Sequence, residues 1–409
     1  MKVMSVSRDA LEYAGEHVLT KFEITSYSGI VYDLRNIYIE INIYEDIFAD
    51  CITGSVHLLD TNNLVSNAPF IGGEKVSIEF STAGKSDTQG KFKHDFELYR
   101  VGPREQTSDR SVAYSLYFAS KEFVTNQGNL ISRIYEDTAS NIAKSVLREL
   151  NDNAKLYCDE TAGISTVVCP YWTPFQMINW LTKRAVSDSG KHGYVFFENK
   201  NGYQFRSIQE TIEKSIITRK FNFGIKNQSS DDNRVQTAFS NIDDYGINAP
   251  KNNTELQQSG AINASAEYLD ILKRALSTVE FNAKSEFSSS SSTGRVFSPN
   301  SSEKTPVAKY MPRASTDEED NTKNILANRS ALMLLNRQSL DTTIPGDSDL
   351  TIAQIVEFDP PAIQELDESR INDRVVGGKM LITALRHIIA PDKYSQVLKL
   401  SQNSYRDLI

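Results

Sequence analysis

Apolar and polar side chains alternate through the first third of the chain. In the stretch NIYIEINIYEDIF, Ile37, Ile39, Ile41 and Ile43 alternate with Tyr38, Glu40, Asn42 and Tyr44. A period of two predicts a strand with the isoleucines on one face. The runs ITGSVHLLDT, EKVSIEF, FELYRV and AYSLYFAS follow, each short and bounded by Gly, Asn, Ser or Asp. From His17 to Val124 the chain therefore reads as successive strands of a small antiparallel barrel or sandwich.

The period then changes. In EDTASNIAKSVLREL, Ala139, Ile142, Ala143, Val146, Leu147 and Leu150 recur at helical spacing, with Asp137 or Thr138 as cap. Thr173-Pro174 opens a second helix, with Phe175, Ile178, Leu181 and Ala185 on its buried side. Two apolar runs around Asn201-Gly202 then predict a hairpin. Residues 129–215 read as a small α+β unit. From Phe221 to Tyr245 strand-like runs return, broken by a polar turn. Residues 251–325 are the least regular part: a helix is expected at AEYLDILKRALSTV, followed by solvated SSSSSTG and STDEED runs. Beyond them NILANRSALMLL predicts a helix, and strands are expected on either side of Pro345-Gly346-Asp347.

Length and composition fit this reading. A chain of 409 residues suggests two to four domains at roughly 100–200 residues each. With 39% hydrophobic and 24% charged residues it resembles an ordinary folded protein. The net charge of -9 disfavours a dedicated nucleic-acid binder. The charged N-terminal stretch lacks the apolar core of a secretory signal, and no run of apolar residues is long enough to span a bilayer as a helix. Cys51, Cys158 and Cys169 make no disulfide framework. Cys158 and Cys169 with His192 match no metal-ligand spacing, so no metal or other cofactor is expected.

Catalytic signatures are missing from the sequence. There is no GxxxxGK[ST] loop, no GxGxxG, no GxSxG and no HExxH. His17, His57, His94, His192 and His387 are scattered singly, and each reads as a strand or surface residue. A small-molecule substrate and an enzymatic role are accordingly not expected. Two rival readings remain: a tail-associated peptidoglycan hydrolase built on scattered carboxylates, and a carbohydrate-binding or adhesin module suggested by short strands and 10% aromatic residues.

The residues Tyr38 to Phe80, with a YEDIF strand, a G.V.L.D..NL strand and turn, and GGEK leading into another strand, resemble the baseplate hub proteins of contractile-tailed bacteriophages. The closing GKMLITALRHIIAPDKYSQVLKLSQNSY is similar to the same family. The resemblance implies a mainly β fold with α+β insertions: two tail-tube-like antiparallel β-barrels per chain and two smaller peripheral domains. Residues 1–128 would form the first barrel, 129–215 the α+β domain, 216–250 with 326–409 the discontinuous second barrel, and 251–325 an inserted peripheral domain. It further implies a homotrimeric, pseudo-sixfold ring that joins the hexameric tail-tube protein to the trimeric central spike protein. Other baseplate proteins would surround that ring, and genomic DNA would pass through its lumen without specific binding. The hub part of type VI secretion spikes is related; there an oligonucleotide-fold domain and β-helix follow on the same chain, whereas here the spike is expected to be a separate protein. The expected location is the virion tail baseplate, assembled in the host bacterial cytoplasm.

The closing strands also raise a catalytic possibility, Gly377-Gly378-Lys379 with His387 downstream. Without the upstream glycine and the following Ser or Thr, no phosphate loop is formed. From Met380 the residues alternate: Leu381, Thr383, Leu385, His387 and Ile389 face one way, and Met380, Ile382, Ala384, Arg386 and Ile388 the other. Both faces are mostly apolar, so this is expected to be a barrel strand whose Ile382, Arg386 and Ile388 meet a neighbouring domain or subunit. APDK supplies the reversal into YSQVLKLSQ.

Overall fold

The computed structural model describes residues 13–61, 64, 70–83, 90–108, 110–223, 239–249, 251–270, 274–287, 305–312, 318–358, 360 and 377–403. The fold is mainly β, with 51% strand and 19% helix. Seven strands come first: β1 (His17–Thr25), β2 (Val31–Asp33), β3 (Tyr38–Asp46), β4 (Thr53–Asp60), β5 (Lys75–Thr82), β6 (Lys91–Ser108) and β7 (Ser111–Ser120). They pair in the order β3-β4-β7-β6-β5-β1-β2, and every pairing is antiparallel. Their inner face buries Phe22, Ile41, Ile43, Phe80, Phe92 and Phe118 in one core. Of the four isoleucines expected on one face, Ile41 and Ile43 are fully buried and Ile37 packs half-buried against the same core, whereas Ile39 does not. A register shift between Tyr38 and Glu40 interrupts the pleat, so Tyr38 packs against the core while Ile39 stays 48% exposed.

Next come α1 (Lys121–Gly128), β8 (Ile131–Asp137), α2 (Ala139–Arg148), β9 (Leu156–Cys158), β10 (Ser165–Trp172), α3 (Pro174–Thr182), β11 (Tyr194–Asn199), β12 (Gly202–Ser207) and α4 (Ile208–Lys214). Thr138 caps α2 by accepting from the Asn141 N–H, and Thr173 caps α3 in a reciprocal box with Gln176. The hairpin around Asn201-Gly202 forms as read, β11 pairing β12 from Tyr194↔Ser207 to Asn199↔Gly202. The apolar faces of α2, α3, β8, β10 and β12 share a separate core that includes Ile142, Val146, Phe175, Ile178 and Phe205.

The last part returns to the main sheet. It contains β13 (Ile217–Phe223), β14 (Asn241–Ile242), β15 (Asp244–Ile247), α5 (Asn253–Gln258), β16 (Asn263–Asp270), β17 (Ala275–Asn282), α6 (Ala283–Glu286), β18 (Thr305–Pro312), α7 (Glu318–Leu335), β19 (Gln338–Pro345), β20 (Ile355–Phe358), β21 (Gly378–Ile389) and β22 (Tyr394–Gln402). Strands β16, β17 and β18 make a small sheet with its own core, onto which α7 lays Leu326, Ala327, Ala331 and Leu334. The helix expected at AEYLDILKRALSTV is instead the hairpin β16–β17, paired from Asn263↔Asn282 to Asp270↔Ala275. Its apolar residues suit either period, but burial recurs every second residue at Ala264, Ala266, Val279 and Phe281, and Arg274 adopts a left-handed φ of 50° at the turn. The SSSSSTG run, Ser315 to Asp317 of STDEED, and the polar turn of 224–238 lie outside the described residues.

Strands β13, β14, β15, β19, β20, β21 and β22 surround a further core with Phe221, Ile344, Ile352, Phe358, Leu381 and Leu398. The closing hairpin forms as read, β21 against β22. Since β21 also pairs with β3, both seven-strand groups belong to one continuous 14-stranded sheet.

Candidate functional site

The junction between those groups is the chemically richest place in the described chain. Strand β21 runs antiparallel to β3 from Ala384↔Asp46 to Ile389↔Ile41. On β3 the inward positions are Ile41, Ile43 and, continuing the same alternation, Glu45, which is 1% exposed. Opposite lies His387, fully buried, with the rings of Phe80 and Phe92 at 5.8 and 5.5 Å. Ionisable groups inside an apolar core are costly unless each finds a partner. Here they do: His387 Nε2 is 3.2 Å from Glu45 Oε1, and Nδ1 is 2.7 Å from the Tyr394 hydroxyl. Thr351 Oγ1 donates to Glu45 Oε2 at 2.5 Å. Gln396 Nε2 donates to Tyr394 Oη at 2.8 Å and to the Asp347 carbonyl at 2.9 Å, and Arg219 forms an ion pair with the Asp347 carboxylate. Burial, helped by Asp347 and Glu45, pushes the Tyr394 phenol well above its ordinary pKa, so it stays a neutral donor.

Neighbouring segments close over this seam. Thr82 and Ser348 bond reciprocally, backbone N–H to side-chain oxygen, at 2.9 Å each way. Lys200, at the β11–β12 turn, donates to the carbonyls of Ser348 and Asp349, both at 2.7 Å. The Pro345-Gly346-Asp347 turn is thus held from three directions. His387 is a sheet residue, its register partners being Ile43 on β3 and Gln396 on β22.

The outward face of β21 carries the residues singled out for contact. Arg386 is half-buried; its Nε donates to Asn42 Oδ1 at 2.9 Å, its guanidinium is 3.5 Å from Glu40, and it lies 5.7 Å from the Tyr44 ring. All three partners belong to β3, so Arg386 ties one strand group to the other within the chain. Ile388 is also half-buried. Ile382 is enclosed completely and belongs to the second core, because this part of β21 lies between β20 and β22, where both faces are covered. A contact of Ile382 with another subunit is therefore not available.

A second buried polar cluster joins β11 to the first strand group. Glu198, 4% exposed, accepts from the Ile52 N–H at 3.0 Å, and Oε2 lies 2.5 Å from Ser120 Oγ. Ser120 Oγ is 3.0 Å from His94 Nε2. Burial pushes the Glu198 carboxyl up to about 8 against the opposing hydrogen bonds, and Glu122 and Glu45 push it further the same way. Burial also lowers the pKa of His94. The serine, histidine and carboxylate meet, but both Ser120 and Glu198 approach the same ring nitrogen, at 3.0 and 3.5 Å. A catalytic triad instead needs the carboxylate on the opposite nitrogen to orient the ring.

The other sequence candidates lie apart. His57 bonds Ser115 across strands at 2.8 Å, and burial lowers the pKa of His17 and brings that of His192 to about 4. Cys51 and Cys169 are buried and Cys158 is half-buried in the α+β core. Burial raises all three thiols, Cys158 to about 12, which makes them poor thiolate donors. Among the described residues no group of three or more His, Cys, Asp and Glu is placed to hold a metal. Sequence reasoning singled out His387 but missed Glu45, Asp347 and Glu198. For Glu45 the signal was available, since it continues the face of Ile41 and Ile43.

No protein-family model matches the chain, and no curated protein matches it by sequence. Solved structures do. The 43 kDa tail protein of prophage MuSo2 from Shewanella oneidensis superposes with a TM-score of 0.57 at 10% identity, covering 94% of this chain and 98% of that one. The tail protein from Neisseria meningitidis MC58 gives 0.57 at 11% identity over 95% and 97%. A type VI secretion component from E. coli aligns at 0.46 with 9% identity, over 96% and 79%. Along nearly its whole length, this chain has the fold of these two tail proteins.

Proposed function

We propose that the chain is a structural hub subunit of a contractile phage tail baseplate. The observation that carries this reading is the similarity along nearly the whole chain to two tail proteins, one of them from a prophage, which spans both strand groups and the units between them. The division into two seven-strand groups, each with its own core, supports the reading of two tube-like barrels per chain. Three copies then present six similar units, which lets a sixfold tube protein sit on one side and a threefold spike protein on the other. Residues 129–215 and 251–325 form the periphery and face other baseplate proteins.

The junction of β3 and β21 has a mechanical role in this scheme. It fixes the angle between the two units, and that angle decides whether three chains close into a ring. Glu45, His387 and Tyr394 lock it from inside and Arg386 from outside, while Ile388 is the remaining candidate for contact with a neighbour. A net charge of -9 suits a conduit for DNA, because like charge reduces sticking to the wall. The protein resides in the virion and needs no cofactor.

Sedimentation velocity combined with negative-stain imaging tests the proposal. A trimer forming a ring with sixfold appearance is expected. A stable monomer at high concentration, without affinity for a tube or spike protein, would overturn it. A cleared band in peptidoglycan zymography would overturn the purely structural assignment.

A further inference from the structure

The α+β unit carries a surface groove that the hub reading does not use. It measures about 280 Å³ and is lined by Trp172, Gln176, Asn179, Trp180 and Lys183. The sequence contains only two tryptophans, and both are in it. Their ring centroids are 6.0 Å apart and the planes are inclined by 47°, so they form a trough. The Arg184 guanidinium stacks 3.8 Å from the Trp180 ring centre, and its Nη1 donates to the Trp180 carbonyl at 3.4 Å.

The polar lining is held in place. Gln176 Oε1 accepts from the Thr173 N–H at 3.1 Å within the helix cap, and Asn179 Nδ2 donates to Asp50 at 2.8 Å. The strand leading into the groove is distorted: its register shifts between Pro170 and Trp172, and Tyr171 between them has φ 52° and is 72% exposed. A left-handed tyrosine is strained, and such strain concentrates at functional sites.

We infer that this groove binds an anionic glycan. A pyranose ring presents a face of C–H groups that complements the negative face of an aromatic ring. The fixed amides match hydroxyl or acetamido groups, and Lys183 supplies a cation for a sugar carboxylate. The size favours this ligand over a protein: the groove lies near the lower end of small-ligand sites, roughly 300 Å³, whereas a stable protein interface buries at least about 1,200 Å². The inference does not depend on ring formation, so either can fail without the other.

Tryptophan fluorescence of the full chain reads this groove alone. Titration with hexagalacturonate is expected to give a saturable change, weakened about tenfold by Lys183→Glu, which alters an exposed side chain and leaves the far-UV dichroism unchanged. A neutral N-acetylglucosamine hexamer should be insensitive to that substitution. The inference is overturned if hexagalacturonate gives no saturable change up to ~10 mM, or if Lys183→Glu leaves its affinity intact. It is likewise overturned if the fluorescence responds to a purified baseplate protein and to neither glycan.

Discussion

Glu198 shows how one buried carboxyl sets a pH dependence. Its folded pKa of about 8 lies above the ordinary 4.5, so the folded state keeps a proton that the unfolded chain releases. Its contribution is complete below about pH 4.5, falls as pH rises, and levels off above about 8. His94, whose folded pKa is lowered, acts in the opposite sense, and its loss appears only as pH falls through the ordinary 6.5. Urea unfolding between pH 6.5 and 8 is therefore expected to show stability declining with pH in the wild type, and Glu198→Gln should remove most of that slope. An unchanged slope in the variant would exclude Glu198 as its source. Gly346 makes a steric case at the same scale: an added Cβ would run into the Tyr394 ring. Gly346→Ala should cost about 1–3 kcal/mol, measured as a lowered urea midpoint, because the ring is fully buried and has no room to move.

Strand β21 illustrates how an element acquires meaning from its neighbours. Its alternation was legible, and Leu381, Thr383, Leu385, His387 and Ile389 are all buried as that face requires. Which neighbour covers it was not legible, since pairing with β3 joins residues more than 300 positions apart and leaves no local trace. Removing one partner from a buried hydrogen-bonded cluster strands the groups it satisfied, at about 1–3 kcal/mol each. Glu45→Ala, which leaves the buried His387 and Thr351 without their acceptor, should cost about 2–6 kcal/mol in urea unfolding. A loss below about 1 kcal/mol would mean that the seam does not hold the two groups together. The hairpin β16–β17 carries the opposite lesson. There the apolar spacing satisfied a helix, and packing onto α7 selected the strand.

For the molecule as a whole, one sheet shared by two cores makes the relative placement of the strand groups a property of the β3–β21 junction. In the proposed trimeric ring this junction would set the angle between the two units, so variants at Glu45 should lower the fraction of trimer in sedimentation velocity before they unfold the chain. Unchanged trimer at equal stability loss would separate the junction from assembly. The resemblance read from YEDIF, GGEK and the closing hairpin agrees with the fold of the matched tail proteins, although identity with them is only 10–11%.

By itself the sequence determined the local elements. Periods of two and 3.6, a Thr-Pro cap and an Asn-Gly turn depend on residues close along the chain, and most of those elements stand where they were read. Tertiary structure alone decided which strands share a sheet, that Ile382 is enclosed and that Arg386 bridges to β3. Each depends on burial and on contacts between remote residues, and neither composition nor spacing carries that information.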